Sequence, residues 1–451
     1  MINTTMTARA TRLESTSTTA DRRSACPGLF RIVAARDGGL CRLKVPLGRL
    51  SADGARAVAT AATRYGNGII EITNRANLQL RGIREGADAD LATDLLAAGL
   101  GPEHPESDDV RNVLISPTAG LDRRHHLDAG PVAAAILRHL ETDADCRKLS
   151  PKFSVLVDGG EDVAVLDHPH DLWLAAIDGE TFAFGVAGCP PVVPEETTPF
   201  ISVAAADAAW AVVVALALFI DLAAGDPEVT RVRHLQPRAS WSSFLDRLSK
   251  RLGLTANLGD KARRWRRPAP VAMGHIGIRD QRQTGFVSVG SVPPLGRLSP
   301  ADLTCLGEIA AEHGGGLRLT PWQSVMVPDV RREKAGQVVE ALENLSFICT
   351  PTHPLATTIA CAGSAGCMRG RGDTKTDALL LVDAHETGWL HLSGCERSCA
   401  SAGVADATLL AVSPGTYDMF VKDASATHRF GRRVAEGLSV DQARQRMRQA
   451  R

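Results

Sequence analysis

Four cysteines in two closely spaced pairs are the residues of this sequence best suited to chemistry. Five residues separate Cys361 from Cys367, and three separate Cys395 from Cys399, with 27 residues between the two pairs. Glycine, alanine and serine surround both pairs, so the backbone there can approach a ligand closely. Four converging thiolates are what a [4Fe–4S] cluster requires. We therefore predict that these four cysteines ligate such a cluster.

Two other uses of these thiols are open. A structural zinc site usually brings two-residue spacings and histidine partners, and the two loops have neither. The cysteines could also be unligated or disulfide-bonded, but ten cysteines in 451 residues do not make a disulfide scaffold. We expect the remaining six to behave as small buried hydrophobic residues: Cys26, Cys41, Cys146, Cys189, Cys305 and Cys349.

Composition limits the partners of the chain. The 51 basic residues balance the 51 acidic ones, which argues against a nucleic-acid or other general polyanion binder but is compatible with a local basic pocket. The strongly apolar run from Ala208 to Ile220 is too short to span a bilayer, so we predict a buried helix and no membrane association. An oxygen-sensitive cluster without an export signal indicates the cytoplasm. Residues 1–24 are predicted to be a disordered tail.

An internal repeat organises the rest of the chain. The hexapeptide PLGRLS occurs at residues 46–51 and again at 294–299. Each copy follows a segment in which apolar and polar residues alternate, and each precedes a predicted helix that ends at glycine residues. Strand, helix, strand and helix in this order are typical of a ferredoxin-like half-domain. The repeat predicts a duplicated α+β fold with pseudo-twofold symmetry. We expect half-domains at 25–100 and 263–345, each followed by an α/β domain, at 101–262 without a cluster and at 346–451 with it.

Basic side chains stand at strand ends and in loops of the first half. Each alone is compatible with an ordinary solvated charge, but together they could form a cationic basin opposite the cluster. Such a basin would suit a tetrapyrrole with acetate and propionate groups, because arginine and lysine bind carboxylates well. The residues are Arg42, Lys44, Arg75, Arg81, Arg111, Lys148 and Lys152.

Further motifs give these residues a family context. With ITNRANLQLRG at 72–82, RNV at 111–113 and PKF at 151–153 beside the cysteine loops, the chain resembles the sulfite/nitrite reductase superfamily. That resemblance implies a siroheme coupled to a [4Fe–4S] cluster, with the four cysteines as cluster ligands and Cys399 also bridging to the siroheme iron. It implies that Arg75 and Gln79 hold the tetrapyrrole carboxylates. It assigns the catalytic face, where an anion is reduced, to Arg42, Arg111 and Lys152.

The sequence differs from the pattern of that superfamily at one position, and this difference favours a particular branch. A second distal lysine, two residues after Lys152, is replaced by Ser154, which argues against multi-electron reduction of an anion. Four segments instead resemble the precorrin-3B synthases, oxygen-dependent monooxygenases of aerobic cobalamin biosynthesis: ACPGLFRI (25–32), NGIIEITNRANLQLRGI (67–83), LRLTPWQSV (317–325) and SGCERSCA (393–400).

This second resemblance implies a different use of the same basin. Precorrin-3A would be the substrate, with O2 as co-substrate and an unidentified electron donor. C20 would be hydroxylated and a γ-lactone would close from the ring-A acetate. A mononuclear non-haem iron would accompany the cluster, and siroheme would be present only in a sulfite or nitrite reductase, which remains the alternative function. A non-catalytic electron-transfer protein is a third interpretation. Such a protein would not need the basic residues.

The ligands of the second iron are not evident in the sequence. Oxygen-activating iron commonly takes two histidines and one carboxylate. The one stretch dense in these residues is Asp167–Asp171, DHPHD, which is equally typical of a polar surface turn. His353 and His391 lie near the cysteine loops and are the other candidates.

Overall fold

The computed structural model describes residues 26–196, 198–236, 239–253, 264–384 and 388–449. The predicted tail over residues 1–24 therefore lies outside the described residues, as does the domain boundary predicted between residues 262 and 263. Within the described ranges the secondary structure is mixed, and its elements follow each other in two similar halves.

The first half begins with a small antiparallel unit and continues into an α/β unit. The antiparallel unit contains β1 (Val33–Ala35), β2 (Gly38–Leu43), β3 (Arg49–Leu50), α1 (Ala52–Tyr65), β4 (Ile70–Ile72), β5 (Leu78–Ile83) and α2 (Asp88–Ala97). The α/β unit contains β6 (Val113–Ile115), α3 (Ala129–Thr142), β7 (Val155–Asp158), β8 (His170–Ala176), β9 (Thr181–Gly188), β10 (Phe200–Ala204), α4 (Ala208–Ala223) and α5 (Trp241–Arg251).

The second half repeats this plan. Its antiparallel unit contains β11 (Gly277–Asp280), β12 (Phe286–Ser291), β13 (Arg297–Leu298), α6 (Pro300–His313), β14 (Leu317–Leu319), β15 (Val325–Arg331) and α7 (Ala335–Asn344). Its α/β unit contains β16 (Thr358–Ala360), α8 (Gly363–Gly366), α9 (Thr374–Leu380), β17 (Leu390–Ser393), β18 (Ala407–Ser413), β19 (Thr416–Val421), β20 (Arg432–Ser439) and α10 (Val440–Gln449).

The four sheets have matching strand orders. The α/β sheets run β10-β9-β8-β7-β6 and β16-β17-β18-β19-β20, and in each the first three strands along the chain are parallel while the last two pair antiparallel. The antiparallel sheets run β1-β2-β5-β4-β13 and β11-β12-β15-β14-β3. The predicted duplication and its α+β class are confirmed.

The two antiparallel units exchange a strand, which the sequence did not indicate. Strand β13 pairs with β4 of the first half, and β3 pairs with β14 of the second. The exchange follows from the repeated PLG turn, in which Leu47 and Leu295 both take left-handed φ angles, of 53° and 54°. A side chain at the following Gly48 would meet the carbonyl of Leu319 at 2.7 Å. Glycine is therefore required where the chain crosses to the other half.

Helices α1 and α6 pack against each other between the exchanged sheets. Ser51 caps α1 by accepting a hydrogen bond from the Gly54 amide, and Ser299 forms a capping box with Asp302 at the start of α6. Buried residues of both antiparallel units make one continuous hydrophobic core. The halves therefore share their central core, whereas each α/β unit has a separate one.

Helix α4 contains the apolar run noted in the sequence. Residues Ala205–Ala223 are long and apolar enough to cross a membrane by length and composition alone. However, a full face of the helix packs in the core of the first α/β unit, where Val212, Leu216 and Phe219 lie buried. The helix is therefore interpreted as a core element, as predicted.

Candidate cluster site and tetrapyrrole cavity

The four cysteines lie in loops at the carboxyl ends of two adjacent strands. Cys361 directly follows β16, and Cys395 comes two residues after β17. Because β16 and β17 are parallel neighbours, their carboxyl ends meet at the same edge of the sheet, and the loops that follow them converge. All four thiols line one cavity. The sequence prediction that they form one site is consistent with this placement.

Three glycines let the cysteine loops approach each other. A side chain at Gly370 would meet the backbone of Gly363 at 2.3 Å, and one at Gly394 would meet the Cα atoms of Gly363 and Gly370 at 3.3 Å and the Cys361 sulfur at 3.4 Å. The amide of Gly394 donates a hydrogen bond of 3.1 Å to that sulfur. An amide aimed at a thiolate is an arrangement that stabilises cluster ligands.

The thiols are less closely gathered than the ligands of a single zinc ion would be. Four thiolates on one zinc, each about 2.3 Å from the metal, would lie about 3.8 Å apart. Within the described ranges no three of these thiols lie mutually within 4.8 Å. All ten cysteines are free thiols, so the disulfide alternative has no support in the structure.

Cys399 is the most exposed of the four cysteines and lines the cavity. Partial burial among the cavity walls raises the pKa of this thiol, and the neighbouring thiols of Cys361, Cys395 and Cys367 raise it further. This agrees with the common position of the four thiols in the wall of one cavity. A bound cluster would provide the positive charge that offsets it.

The cavity in front of the thiols has a volume of about 1310 Å³, which exceeds the roughly 300–1,000 Å³ of pockets for drug-sized ligands. Its wall carries ten cationic side chains and only two carboxylates, Glu71 and Asp226. The excess of positive charge favours a large ligand with several carboxylates. The cations are Arg42, Arg81, Lys148, Lys152, Arg231, Arg233, Arg369, Lys375, Arg397 and Arg429.

One wall of this cavity is the face of the first antiparallel sheet. Arg42 on β2 lies opposite Gln79 on β5, and Gln79 lies opposite Glu71 on β4. Residues opposite each other in neighbouring strands point to the same face, and Arg42 donates to the Gln79 side chain at 3.2 Å. The predicted site residues Arg42 and Gln79 are therefore brought together in the cavity wall.

Arg75 and Lys152, predicted for substrate binding and catalysis, lie next to each other. Lys152 is exposed and lines the cavity, and its carbonyl accepts a hydrogen bond of 3.3 Å from Arg75. Arg75 itself is not among the lining residues. Burial lowers the pKa of Arg75 to about 10, together with the nearby charges of Arg231 and Arg42. A direct contact between Arg75 and a ligand stays a prediction.

Arg111, predicted to be catalytic, is not brought to the cavity. Its guanidinium is buried and forms ion pairs with Glu141 at 2.6 Å and Asp108 at 3.8 Å. Ser154 is also buried, and its backbone amide donates to Asp171. In this structure the position of the missing distal lysine and that of Arg111 both face the protein interior. The sequence could not show this, because the partners of Arg111 are set by packing.

A buried ion network joins this wall to the cysteine loops. Glu71 lies 3.3 Å from Arg81, 3.0 Å from Arg297 and 3.6 Å from Lys375, and Arg81 also donates to the carbonyl of Gly366 at 2.6 Å. Burial alone would raise the pKa of Glu71, but the three cations outweigh it and lower the pKa to about 2. The network links the first antiparallel sheet, including strand β13 contributed by the second half, to the domain that carries the cysteines.

The residues proposed for a second iron do not form a metal site. Asp167 accepts hydrogen bonds from His168 at 2.9 Å and from the Trp322 indole at 3.2 Å. His353 accepts a hydrogen bond from the Leu355 amide at the start of a 3₁₀ helix. His391 is buried, and burial lowers its pKa to about 4, assisted by Arg429. Across the described part of the chain, no two histidines and a carboxylate bring donor atoms within 4.8 Å.

Sequence reasoning missed several cations of the cavity. Arg369 and Arg397 lie in the cysteine loops, close in sequence to Cys367 and Cys395. That closeness could have identified them as residues of the site. Arg231, which Asp171 holds through two hydrogen bonds of 2.9 and 2.7 Å, belongs to no motif. Cys26, expected to be a buried hydrophobic residue, also lines the cavity.

The fold and the site together define an iron–sulfur oxidoreductase of duplicated α+β architecture. The family model described as the nitrite/sulfite reductase ferredoxin-like half domain matches residues 34–98 and 279–345, and the model described as the nitrite and sulphite reductase 4Fe-4S domain matches residues 106–255. These matches cover well over half of the chain, which therefore belongs to the nitrite/sulfite reductase family.

Individual relatives fall into more than one group. The chain is 29% identical to the chloroplastic ferredoxin–nitrite reductase of Oryza sativa subsp. japonica over 81% of its length, but it spans only 65% of that relative. It is 28% identical to a precorrin-3B synthase of Sinorhizobium sp over 90% of its length and 84% of the relative. The solved structure of the Mycobacterium tuberculosis NirA protein has the same fold, with a TM-score of 0.69 and 20% identity over 89% of this chain and 78% of that one.

The match of the 4Fe-4S domain model falls on the copy without paired cysteines. Ser116 directly follows β6 as Cys361 follows β16, and Gly160 comes two residues after β7 as Cys395 does after β17. The two α/β units are therefore equivalent in fold, while the ligand-bearing residues are present only in the second. That the first unit holds no cluster stays a prediction.

Proposed function

We propose that this oxidoreductase is an oxygen-dependent monooxygenase that converts precorrin-3A to precorrin-3B. The observation that carries the proposal is the large cavity, whose wall bears ten cations and two carboxylates and faces the four cysteines. A tetrapyrrole with acetate and propionate side chains matches that cavity in size and charge. The four cysteines would hold a [4Fe–4S] cluster, which supplies electrons when bound.

Two features support oxidation of the ring rather than reduction of a small anion. Arg111 and Ser154 are buried and do not line the cavity, and Arg111 is paired with Glu141, so neither position supplies a proton to an anion bound there. The chain also spans 84% of the precorrin-3B synthase from Sinorhizobium sp but 65% of the rice nitrite reductase. This chain therefore matches a larger share of the synthase than of the nitrite reductase.

The role of this chain's own residues is to bind and orient the ring. Arg42 and Lys152 line the wall contributed by the first half, and Arg231 is held rigidly by Asp171. Bidentate contacts with the ring carboxylates would fix C20 and the ring-A acetate relative to each other, so that lactone closure becomes a reaction between neighbouring groups.

The reaction balances with a reduced donor outside this chain. One O2, two electrons and two protons are consumed, one oxygen atom enters the ring at C20, and the other leaves as water. The oxygen that enters adds across the C1–C20 double bond, and the ring-A acetate then attacks C1 and breaks the new C1–O bond. The acetate oxygen closes the γ-lactone at C1, and the added oxygen takes up the carboxyl proton and stays on C20 as the hydroxyl group. The non-haem iron implied by the resemblance to the synthases finds no two-histidine, one-carboxylate group among the described residues. The binding role of the cations does not depend on that iron.

The test is conversion of precorrin-3A by anaerobically purified, cluster-loaded protein with a chemically reduced ferredoxin as donor. Exposure to ¹⁸O2 is expected to give a product heavier by one labelled oxygen atom, and an identical mixture kept without oxygen should give none. Mass spectrometry of the product measures both. An unlabelled or absent product in the presence of oxygen would contradict the proposal.

A siroheme-dependent nitrite or sulfite reductase is the second candidate, favoured by the similarity to the rice enzyme and by the exposure of Cys399 to the cavity. The optical spectrum of the same preparation separates the two. A broad sulfur-to-iron shoulder alone agrees with the monooxygenase. Intense, sharp haem-type bands together with reduction of nitrite or sulfite would establish the alternative.

A further inference from the structure

A second set of metal-ligating side chains lies at the end of helix α3, away from the cysteine loops. His139 and Asp143 are four residues apart, which places them one helical turn apart on the same side, and His139 Nε2 lies 3.5 Å from Asp143 Oδ2. Cys146 follows in the 3₁₀ turn Asp145–Lys148. One nitrogen, one carboxylate oxygen and one sulfur from these three residues all lie within 4.8 Å of one another.

The surroundings of this triad differ from those of an ordinary surface ion pair. A cavity of about 100 Å³ lies between the triad and helix α4, and Asp145 and Asp221 also line it. Cys146 is 2% exposed, whereas the side chains of His139 and Asp143 are 25% and 38% exposed. The sulfur therefore lies at the closed end and the other two donors at the mouth. The carboxyl end of α3 adds the negative end of a helix dipole, which favours a cation.

We propose that His139, Asp143 and Cys146 bind a zinc ion, with water in the fourth position. Zinc accepts nitrogen, oxygen and thiolate ligands in tetrahedral geometry, whereas magnesium and calcium prefer oxygen ligands alone. The spacing of less than 4.8 Å suits one ion and is too short for a cluster. This proposal does not rest on the proposed function.

The position of the site indicates a structural role. Ile220 of α4 lines both this cavity and the large one, so the zinc would be separated from a ring by a helix side chain and would not touch it. Lys148, the last residue of the same 3₁₀ turn, lines the large cavity. A metal that joins α3 to this turn would stabilise that part of the cavity wall.

Zinc binding by cluster-loaded protein tests the proposal. After mild chelation and removal of the chelator, the protein is given one equivalent of Zn²⁺ and desalted, and bound zinc and iron are measured by mass spectrometry. We expect one zinc per chain in wild type and in the control variant Cys189→Ser. X-ray absorption at the zinc edge should show one sulfur at about 2.3 Å and nitrogen or oxygen at about 2.0–2.2 Å.

Two variants make the assignment specific. Cys146→Ser should lose the sulfur from the zinc spectrum, and His139→Gln, at a partly exposed position, should lose most of the bound zinc even if Cys146→Ser does not fold. Iron content should stay at the wild-type level in each soluble variant, which shows that the cluster cysteines are not the zinc ligands. Absence of stoichiometric zinc in wild type, or zinc bound equally by His139→Gln, would overturn the proposal.

Discussion

At the scale of single residues, the cysteine site depends on what stands beside each thiol. Gly394 both donates its amide to the Cys361 sulfur and leaves room for the loop that carries Gly363 and Gly370. Thr374 holds the same loop by donating to the Cys361 carbonyl at 2.7 Å. The cysteines are therefore positioned by the backbone of neighbouring loops, so that they need not move far to bind a cluster.

Replacing Cys395 by serine is the prediction that belongs to this scale. Cys395→Ser removes one of four thiolates, and we expect the iron and acid-labile sulfide content of the purified protein to fall from about four of each per chain to near zero. Cys189→Ser is the matched control, because the Cys189 thiol donates only to the carbonyl of His168, a bond that serine can keep. Full iron and sulfide in Cys395→Ser would remove Cys395 from the ligand set.

At the scale of elements, the contact between α1 and α6 joins the two halves. Gly307 of α6 faces α1 closely: an added side chain would meet the carbonyl of Ala52 at 3.1 Å and the Cβ of Ala55 at 3.3 Å. Gly336 of α7 has nothing within 4 Å of an added side chain. These two helical glycines therefore allow the same substitution to be compared at a packed and at an open position.

We expect Gly307→Leu to lower the apparent melting temperature, because overpacking typically costs about 1–3 kcal/mol. Gly336→Leu should leave it unchanged or raise it slightly, since leucine favours a helix more than glycine does. Differential scanning fluorimetry of the two variants beside wild type measures this. Equal melting temperatures for both variants would show that the helix contact is looser than the structure indicates.

At the scale of the whole molecule, the Glu71 network holds the cavity together. Its members come from β4, β5, β13 and α9, so one carboxylate connects strands of both halves, paired in one sheet, with the domain of the cysteines. Because the pKa of Glu71 is lowered to about 2 from an ordinary value of about 4.3, the charged form stabilises the fold. This stabilisation is complete above about pH 5 and is lost as the pH falls towards 2.

Glu71→Gln should therefore destabilise the protein at pH 7, by about 3–5 kcal/mol for a broken buried ion network. The difference in melting temperature from wild type should shrink as the pH is lowered from 5 towards 3. The reason is that the charged form of wild-type Glu71 then stabilises the fold less. Glu436→Gln is the control, since Glu436 is exposed and pairs with Arg433 at the surface. Identical melting temperatures for the two variants at pH 7 would contradict the role of the network.

Some features of this protein follow from patterns of residues that are close together in the sequence. The four cysteines, the capped helix after Ser51 and the repeat of PLGRLS depend on residues close together in the chain, and the duplicated α+β fold follows from the repeat. Gln79 was identified within a motif that resembles a known family and Arg42 from the same resemblance, and the sheet places the two side by side. These predictions need no knowledge of which distant residues meet.

Only the tertiary structure decided which charges reach the cavity. Arg111 belongs to a family motif yet pairs with Glu141 in the interior, whereas Arg231 belongs to no motif yet lines the cavity beside Asp171. The exchange of β3 and β13 likewise pairs residues far apart in the chain, such as Arg297 with Glu71 and Arg318 with Arg49, although the motif that contains β3 and β13 is identical in both copies. The physical reason is that the partner of a charge or of a strand edge is chosen by packing between distant segments, which the local sequence does not encode.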